Sequence, residues 1–237
     1  MMTNHITEKL DNHTISSGRR FVFLRDRAFF TLQFFAGDRA SDLGQCLSQE
    51  VKKLSESKGL LFRHTVGKTL GNGKINEFVI SPVNEKVICP VENLNQYVMG
   101  AEQMDINISV GYLFRTLDPS HSHVLESPVS SSGMGVRLQM YLKELNIFEG
   151  ETIHGIRGGC AITMMSSGIA SSKEVMDHIG WFSKSSLDKY SRINKLVDAG
   201  SVGPLLSKVA DSNFSDVGNK FGKFGDSSDL PQAFKKQ

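Results

Sequence analysis

The stretch His154-Gly155-Ile156-Arg157-Gly158-Gly159-Cys160, followed by Asp177-His178-Ile179-Gly180-Trp181 and Leu187-Asp188-Lys189-Tyr190-Ser191-Arg192, decides how this chain is read. His154 and Arg157 stand three residues apart, a spacing that puts both side chains on one face if the segment is helical. Tyr190 follows Trp181 by nine residues. One arrangement that uses all of these residue types is a site for covalent phosphoryl transfer, and the flanking sequence reads as its scaffold.

Working outward, Gly150 punctuates the chain, and the loop Glu151-Thr152-Ile153 delivers His154 to the start of a helix. Ser171-x-x-Glu174 matches a capping box that opens the helix carrying Met176 and His178. Ser183 to Ser186 can cap the next helix, which carries Tyr190. Upstream, Leu138, Tyr141, Leu142 and Leu145 form one side of an amphipathic helix. Pro90 to Met104 reads as helical, and 105–130 reads as loop-rich, with a Ser/His cluster at Ser120 to His123.

Towards the N-terminus the period changes. Val51 to Leu54, Leu60 to Leu70 and Ile75 to Ile80 read as short strands, and Gly71-Asn72-Gly73 is a hairpin turn signal. This puts Lys68 near the tip of a β-hairpin and Lys74 on its returning strand, and either ammonium is a candidate for a mobile catalytic group. Before the strands, Asp38-Arg39-Ala40-Ser41-Asp42-Leu43 begins a short helical turn in which Arg39 and Asp42 share a face. Phe21, Leu24, Ala28, Leu32 and Phe35 recur at helical spacing, and Gly37 ends that helix. Residues 1–18 read as a polar N-terminal stub ending in Ser16-Ser17-Gly18. Residues 211–237, rich in Ser, Gly, Asp and Lys, read as a flexible tail.

Composition sets the outer limits. A chain of 237 residues holds one full domain with tails, and 39% hydrophobic with 22% charged residues is ordinary for a globular protein. The formal net charge of +2 permits nucleic-acid binding only through a local basic groove. Cys46, Cys89 and Cys160 lack CxxC spacing, so they read as reduced thiols of an intracellular protein rather than as a zinc site or disulfide framework. No apolar run approaches the roughly 20 residues of a membrane span. His121 and His123 lack a Cys or carboxylate cluster beside them and read as a surface loop. A metal-dependent transposase or nuclease needs converging acidic ligands, and the sequence offers none.

The chemistry narrows the reading further. A tyrosine phenol titrates near 10, so a nucleophilic Tyr needs a strongly polarised substrate. A phosphodiester held by two guanidinium groups is one, because each planar fork donates paired bonds to non-bridging oxygens and both charges stabilise the phosphorane. Arg39 and Arg157 are the candidate clamp. His154 can hydrogen-bond the phosphate or accept the phenolic proton, and a hairpin lysine can protonate the expelled oxygen.

In order and spacing, Arg39, Lys68, His154-x-x-Arg157, Gly180-Trp181 and Tyr190 resemble the catalytic domain of the tyrosine recombinases, the phage integrase family. The resemblance runs over about residues 20 to 200 and implies a mostly helical α+β domain (19–200) with a small antiparallel sheet, followed by a tail (201–237). It makes Arg39 the first catalytic arginine, with Asp42 supporting it, and Lys68 the hairpin lysine, with Lys74 left open. His154 and Arg157 become the His-x-x-Arg box, Trp181 the His/Trp position and Tyr190 the nucleophile. His178 lies 12 residues before Tyr190, off the family spacing, and is kept as a supporting helix residue.

The activity so implied is site-specific recombination or integration through a 3′-phosphotyrosyl intermediate, without metal or energy cofactor. The implied partner is double-stranded DNA, bound by a homotetramer with no membrane involvement, in the nucleus if the source is a eukaryotic mobile element. The family's usual N-terminal helical clamp has no counterpart in residues 1–18. Two alternatives stay open: a recombinase-derived DNA-binding protein that does not cut, and type IB topoisomerase-like nicking and resealing.

Overall fold

Two helices open the chain, α1 (Met2–Asp11) and α2 (Ser17–Ala36), and among the described elements several pack against the second. Ser16 caps α2 by accepting the Arg19 N–H at 3.4 Å, and Gly37 ends it in the left-handed region at φ 58°. The sequence predicts a single apolar stripe on this helix. Instead Phe21, Val22, Leu24, Ala28, Phe29, Phe30 and Leu32 are all buried, so α2 is covered on nearly every side. Burying each Phe or Leu contributes about 1.5–3 kcal/mol, which makes α2 the centre of the core.

The computed structural model describes residues 1–12, 14–55, 59–65, 75–167, 170–181 and 187, all within the unit Met1–Leu187. The expectations for Lys68, Lys74, the Gly71-Asn72-Gly73 turn, Tyr190 and its helix, and residues 201–237 lie outside these residues.

Residues 2–11, read from sequence as part of a polar stub, form α1 instead. Ile6 and Leu10, one helical turn apart, are both buried. Polar ties hold the helix to its neighbours: Arg27 donates to Thr7 Oγ1 at 2.8 Å and Arg20 donates to the Leu10 carbonyl at 3.1 Å. A short helix in a polar stretch forms here because α2 supplies the surface for its two apolar residues.

After α2 come α3 (Ala40–Gly44), a single 3₁₀ turn (Ser48–Glu50), and the strands β1 (Val51–Lys53), β2 (Leu60–His64) and β3 (Asn76–Ile80). They form an antiparallel sheet in the order β1-β2-β3, with Phe62 opposite Phe78 and His64 opposite Asn76. The Phe62 and Phe78 rings stack at 5.4 Å on the core face. Helix α4 (Pro90–Glu102) lies against α2. A Cβ at Gly100 would sit 2.3 Å from Leu24 Cδ1, so the Leu24 side chain of α2 packs directly onto this glycine of α4.

The segment 105–130, expected to be loop-rich, contains a second hairpin of β4 (Arg115–Leu117) and β5 (Val124–Pro128). At its tip Asp118 accepts the N–H groups of Ser122 and His123 and the Ser120 hydroxyl, and these bonds hold its carboxyl well below the usual range. Helices α5 (Ser131–Glu144), α6 (Ile153–Ser166) and α7 (Ser172–Ile179) complete the described residues. The architecture is α+β and mostly helical, with small antiparallel sheets. No described helix is long and apolar enough to cross a membrane.

Candidate active site

The C-terminal end of α2 is where Arg39, Arg157, His178 and, through Arg157, Trp181 come together among the described residues. Gly37 takes a positive φ, and an added Cβ would lie 2.9 Å from Ile179 Cγ1 and 3.1 Å from Cys160 Sγ. The turn is therefore pressed directly against α6 and α7. Its carbonyl accepts a bond from Arg157 Nη1 at 2.7 Å. Arg157 is 2% exposed, and its guanidinium lies over the Trp181 ring, 5.7 Å from the centroid. Such stacking suits Arg, whose planar fork is more weakly hydrated than an ammonium.

Two residues beyond Gly37, Arg39 stands at the N-cap of α3. Its Nη1 meets Asp42 Oδ2 at 3.2 Å, across the helical turn that the sequence predicts. A partly exposed pair of this kind contributes little to stability, but it orients the guanidinium. His154 lies in the first turn of α6 and is exposed, three residues before Arg157. One turn of helix thus presents a solvent-facing imidazole beside a buried guanidinium.

His178 and Trp181 come from α7 and its exit. The capping box at the start of α7 forms as the sequence predicts: Ser171 Oγ accepts the Glu174 N–H at 3.3 Å and Glu174 accepts the Ser171 N–H at 2.7 Å. At the other end Gly180 takes φ 72°, and the Trp181 N–H reaches the Met176 carbonyl at 2.8 Å. This exit delivers Trp181 to Arg157. The His178 ring nitrogen bonds the Phe35 carbonyl of α2 at 2.8 Å and its ring contacts Phe78. His178 therefore ties α7 to both α2 and β3.

Two polar residues near this turn are passed over by sequence reasoning. Asp38 Oδ1 accepts the Arg39 N–H at 3.0 Å, and Asp38 Oδ2 lies 2.7 Å from Nε2 of His64. His64 is 2% exposed at the end of β2. Burial disfavours its charged form, but Asp38, with Glu50 and Asp42, more than offsets this and raises its pKa above the ordinary histidine value. The signal was present in the alternation Leu60, Phe62, His64, which places a histidine in the apolar phase of a strand. A polar group there requires a partner.

Cys46, Glu50 and His64 each bring one ligand atom within 4.8 Å of the others. The geometry has a simpler reading than a metal centre. Glu50 Oε2 accepts the Leu47 N–H at 2.9 Å, and Oε1 accepts the Thr65 N–H at 2.9 Å and the Thr65 hydroxyl. Burial, reinforced by Glu50 and Asp38, pushes the Cys46 thiol well above its usual pKa and keeps it protonated. The group fastens the turn after α3 to the end of β2.

Comparison with solved structures gives the fold its relatives. The chain is similar to XerH site-specific recombinase bound to palindromic difH substrate in a post-cleavage complex, with a TM-score of 0.59 and 14% identity over 82% of this chain and 48% of XerH. The pre-cleavage complex of XerH with difH gives 0.57, also at 14% identity, over 83% and 51%. XerA recombinase gives 0.53 at 16% identity over 75% and 57%. The chain thus spans about half the length of the solved recombinases it matches. No family model matches the sequence, and neither does any curated protein. The fold is that of a tyrosine recombinase catalytic domain.

Proposed function

We propose that this chain is the catalytic part of a DNA recombinase or integrase that breaks and rejoins strands through Tyr190. The observation that carries this reading is the convergence at the end of α2. Arg157 is anchored on the Gly37 carbonyl at 2.7 Å, and Arg39 follows Gly37 by two residues with its guanidinium held by Asp42. Two arginines distant in sequence are thus brought to one turn, which is what a two-guanidinium phosphate clamp requires.

The chemistry then follows from the residue types. Arg39 and Arg157 hold the non-bridging oxygens of a DNA phosphodiester and stabilise the charge that develops on them. The Tyr190 oxygen bonds to phosphorus while the bond from phosphorus to the 5′ oxygen breaks. His154 takes the phenolic proton, and Lys68 gives a proton to the departing 5′ oxygen. The product is a 3′-phosphotyrosyl enzyme and a free 5′ hydroxyl. Attack by the 5′ hydroxyl of a partner strand restores the phosphodiester, so no energy cofactor enters the cycle. Trp181 holds the Arg157 guanidinium, and Asp42 holds that of Arg39. Double-stranded DNA is the substrate and partner, engaged by an assembly of several copies. That the solved relatives XerH and its complexes are bound to difH substrates supports this choice.

The test is a suicide substrate, a duplex nicked so that the cleaved strand's short 5′ end diffuses away. Wild-type protein is expected to form an adduct that survives SDS, and Tyr190→Phe to form none. An adduct that persists in Tyr190→Phe would overturn the assignment of the nucleophile. Salt-sensitive DNA binding with no adduct in the wild type would favour the non-cutting reading. Resealing without exchange between two duplexes would favour nicking and resealing of the topoisomerase type.

A further inference from the structure

Residues 37 to 39 each hold a thread to a different part of the fold. Gly37 is bound by Arg157 of α6, Arg39 reaches Asp42 of α3, and between them Asp38 reaches His64 at the end of β2. The two Asp38 oxygens divide their work: Oδ2 meets the His64 imidazole at 2.7 Å and Oδ1 accepts the Arg39 backbone N–H at 3.0 Å. A single carboxylate therefore connects the backbone of a clamp arginine to the strand that leads, four residues later, to Lys68.

Packing alone does not account for a histidine at this place. The His64 ring lies 6.0 Å from that of Phe62 and 5.7 Å from that of Phe78, in an apolar row where Leu or Phe would fill the space without a polar cost. The next residue, Thr65, is tied separately to Glu50, so the strand end does not depend on His64 for anchorage. What His64 adds is a short contact to the residue that holds Arg39, an ion pair whenever the imidazole is protonated. A phosphate clamp must keep its groups within about 0.5 Å of the productive geometry, and residues behind the contacting ones set that precision.

We infer that His64 and Asp38 are positioning residues that set the Arg39 end of the phosphate clamp and make strand cleavage dependent on the protonation of His64. The inference rests on the recombinase reading above. The charged groups facing the imidazole are Asp38 from the turn after α2, Asp42 from α3 and Glu50 from the 3₁₀ turn, with the Cys46 thiol beside them. The three carboxylates all favour the imidazolium. The coupling is then present below the raised pKa of His64 and is lost as pH rises through it.

The experiment uses the full chain as wild type, His64→Gln and Asp38→Asn, with circular dichroism to establish that each folds. The first readout needs no activity: the Arg39 amide resonance is followed against pH. It is expected to titrate together with the His64 imidazole in the wild type and to stay flat in His64→Gln. The second is the rate of adduct formation on the nicked duplex. The wild-type rate is expected to exceed that of His64→Gln roughly tenfold below the His64 pKa, the scale of a lost close, buried ion-pair contact, and to converge with it above. The third replaces the bridging 5′ oxygen by sulfur, which leaves without a proton. The same tenfold ratio on sulfur places the effect on the Arg39 clamp. A ratio that vanishes on sulfur places it on the lysine proton donor and overturns the assignment to Arg39. An Arg39 amide that ignores His64 in a chain that does form the adduct sinks the coupling alone. An amide that tracks His64 in a chain that forms no adduct sinks the cleavage reading and leaves the coupling standing.

Discussion

Gly37 combines two constraints that usually occur apart, a left-handed backbone and a site with no room for a methyl group. Its φ of 58° is costly for any residue with a Cβ, and the nearest atoms to that Cβ are Ile179 Cγ1 at 2.9 Å and Cys160 Sγ at 3.1 Å. Neither neighbour can retreat easily, since Ile179 is 3% exposed and Cys160 is 4% exposed. Gly37→Ala is expected to destabilise the fold by about 2–4 kcal/mol, the sum of backbone strain and overpacking, read as a lowered urea midpoint with an unchanged slope. The same substitution displaces the carbonyl that Arg157 binds. Cleavage should therefore fall further than the folded fraction does, and an activity that simply tracked the folded fraction would deny the turn its place in the clamp. Sequence alone shows Gly37 as a helix stop. Its second role needed the positions of α6 and α7, more than a hundred residues away.

Elements are held to one another here by buried polar networks as well as by the aromatic core. Asp26 of α2 is fully buried and accepts from Arg25 at 2.7 Å, from Arg137 of α5 at 2.5 Å and from the Tyr141 hydroxyl at 2.8 Å. Burial and the Asp26 charge push the Tyr141 phenol far above its ordinary pKa, so it stays protonated, donating to this carboxylate while accepting from Arg137. Removing the carboxylate leaves Arg25 and Arg137 without their common partner. Asp26→Ala is expected to cost about 3–5 kcal/mol, whereas Tyr141→Phe, which removes one donor to Asp26 and one acceptor of the partly exposed Arg137, should cost about 1–2 kcal/mol; equal losses in chemical denaturation would show that Asp26 is not the hub.

This network also shows what the sequence makes legible at the level of elements. The i, i+3 and i+4 apolar spacing predicts α2 and α5, and the Ser171-x-x-Glu174 box predicts the start of α7. Each depends on neighbours within one or two turns. Asp26 in an apolar helix and the helix at residues 2–11 were not legible, and the alternation that places His64 in an apolar strand does not name its partner. Their partners are Arg137, Asp38 and the surface of α2, and such long-range pairings leave no local pattern. The hairpin β4–β5 was missed for another reason: its strands are short and partly exposed, and turn residues dominate the segment between them.

For the molecule as a whole, the question is how a chain with a formal net charge of only +2 would hold a polyanion. If global charge steered DNA to it, affinity would respond to any lysine or arginine on the surface to a similar degree. A clamp formed at the end of α2 predicts a different pattern, because affinity then rests on a few guanidinium groups placed against particular phosphates. Each neutralised phosphate releases condensed counterions, so log K should fall linearly with log salt, with a slope of about −0.9 for each phosphate contact on duplex DNA. Arg39→Ala removes one such contact while leaving the fold's core intact, since Arg39 is only partly buried. It should weaken binding on every duplex to a similar extent and make the salt slope shallower by about one. Lys143, which stands over the Phe148 ring at 5.1 Å near the end of α5, provides the control, and Lys143→Ala should leave the slope unchanged. Equal changes for both variants in a fluorescence anisotropy titration would mean that diffuse charge carries the binding. A change confined to Arg39→Ala would place a phosphate at the turn that Gly37, Asp38 and Arg39 form, where the two arginines of the proposed chemistry meet.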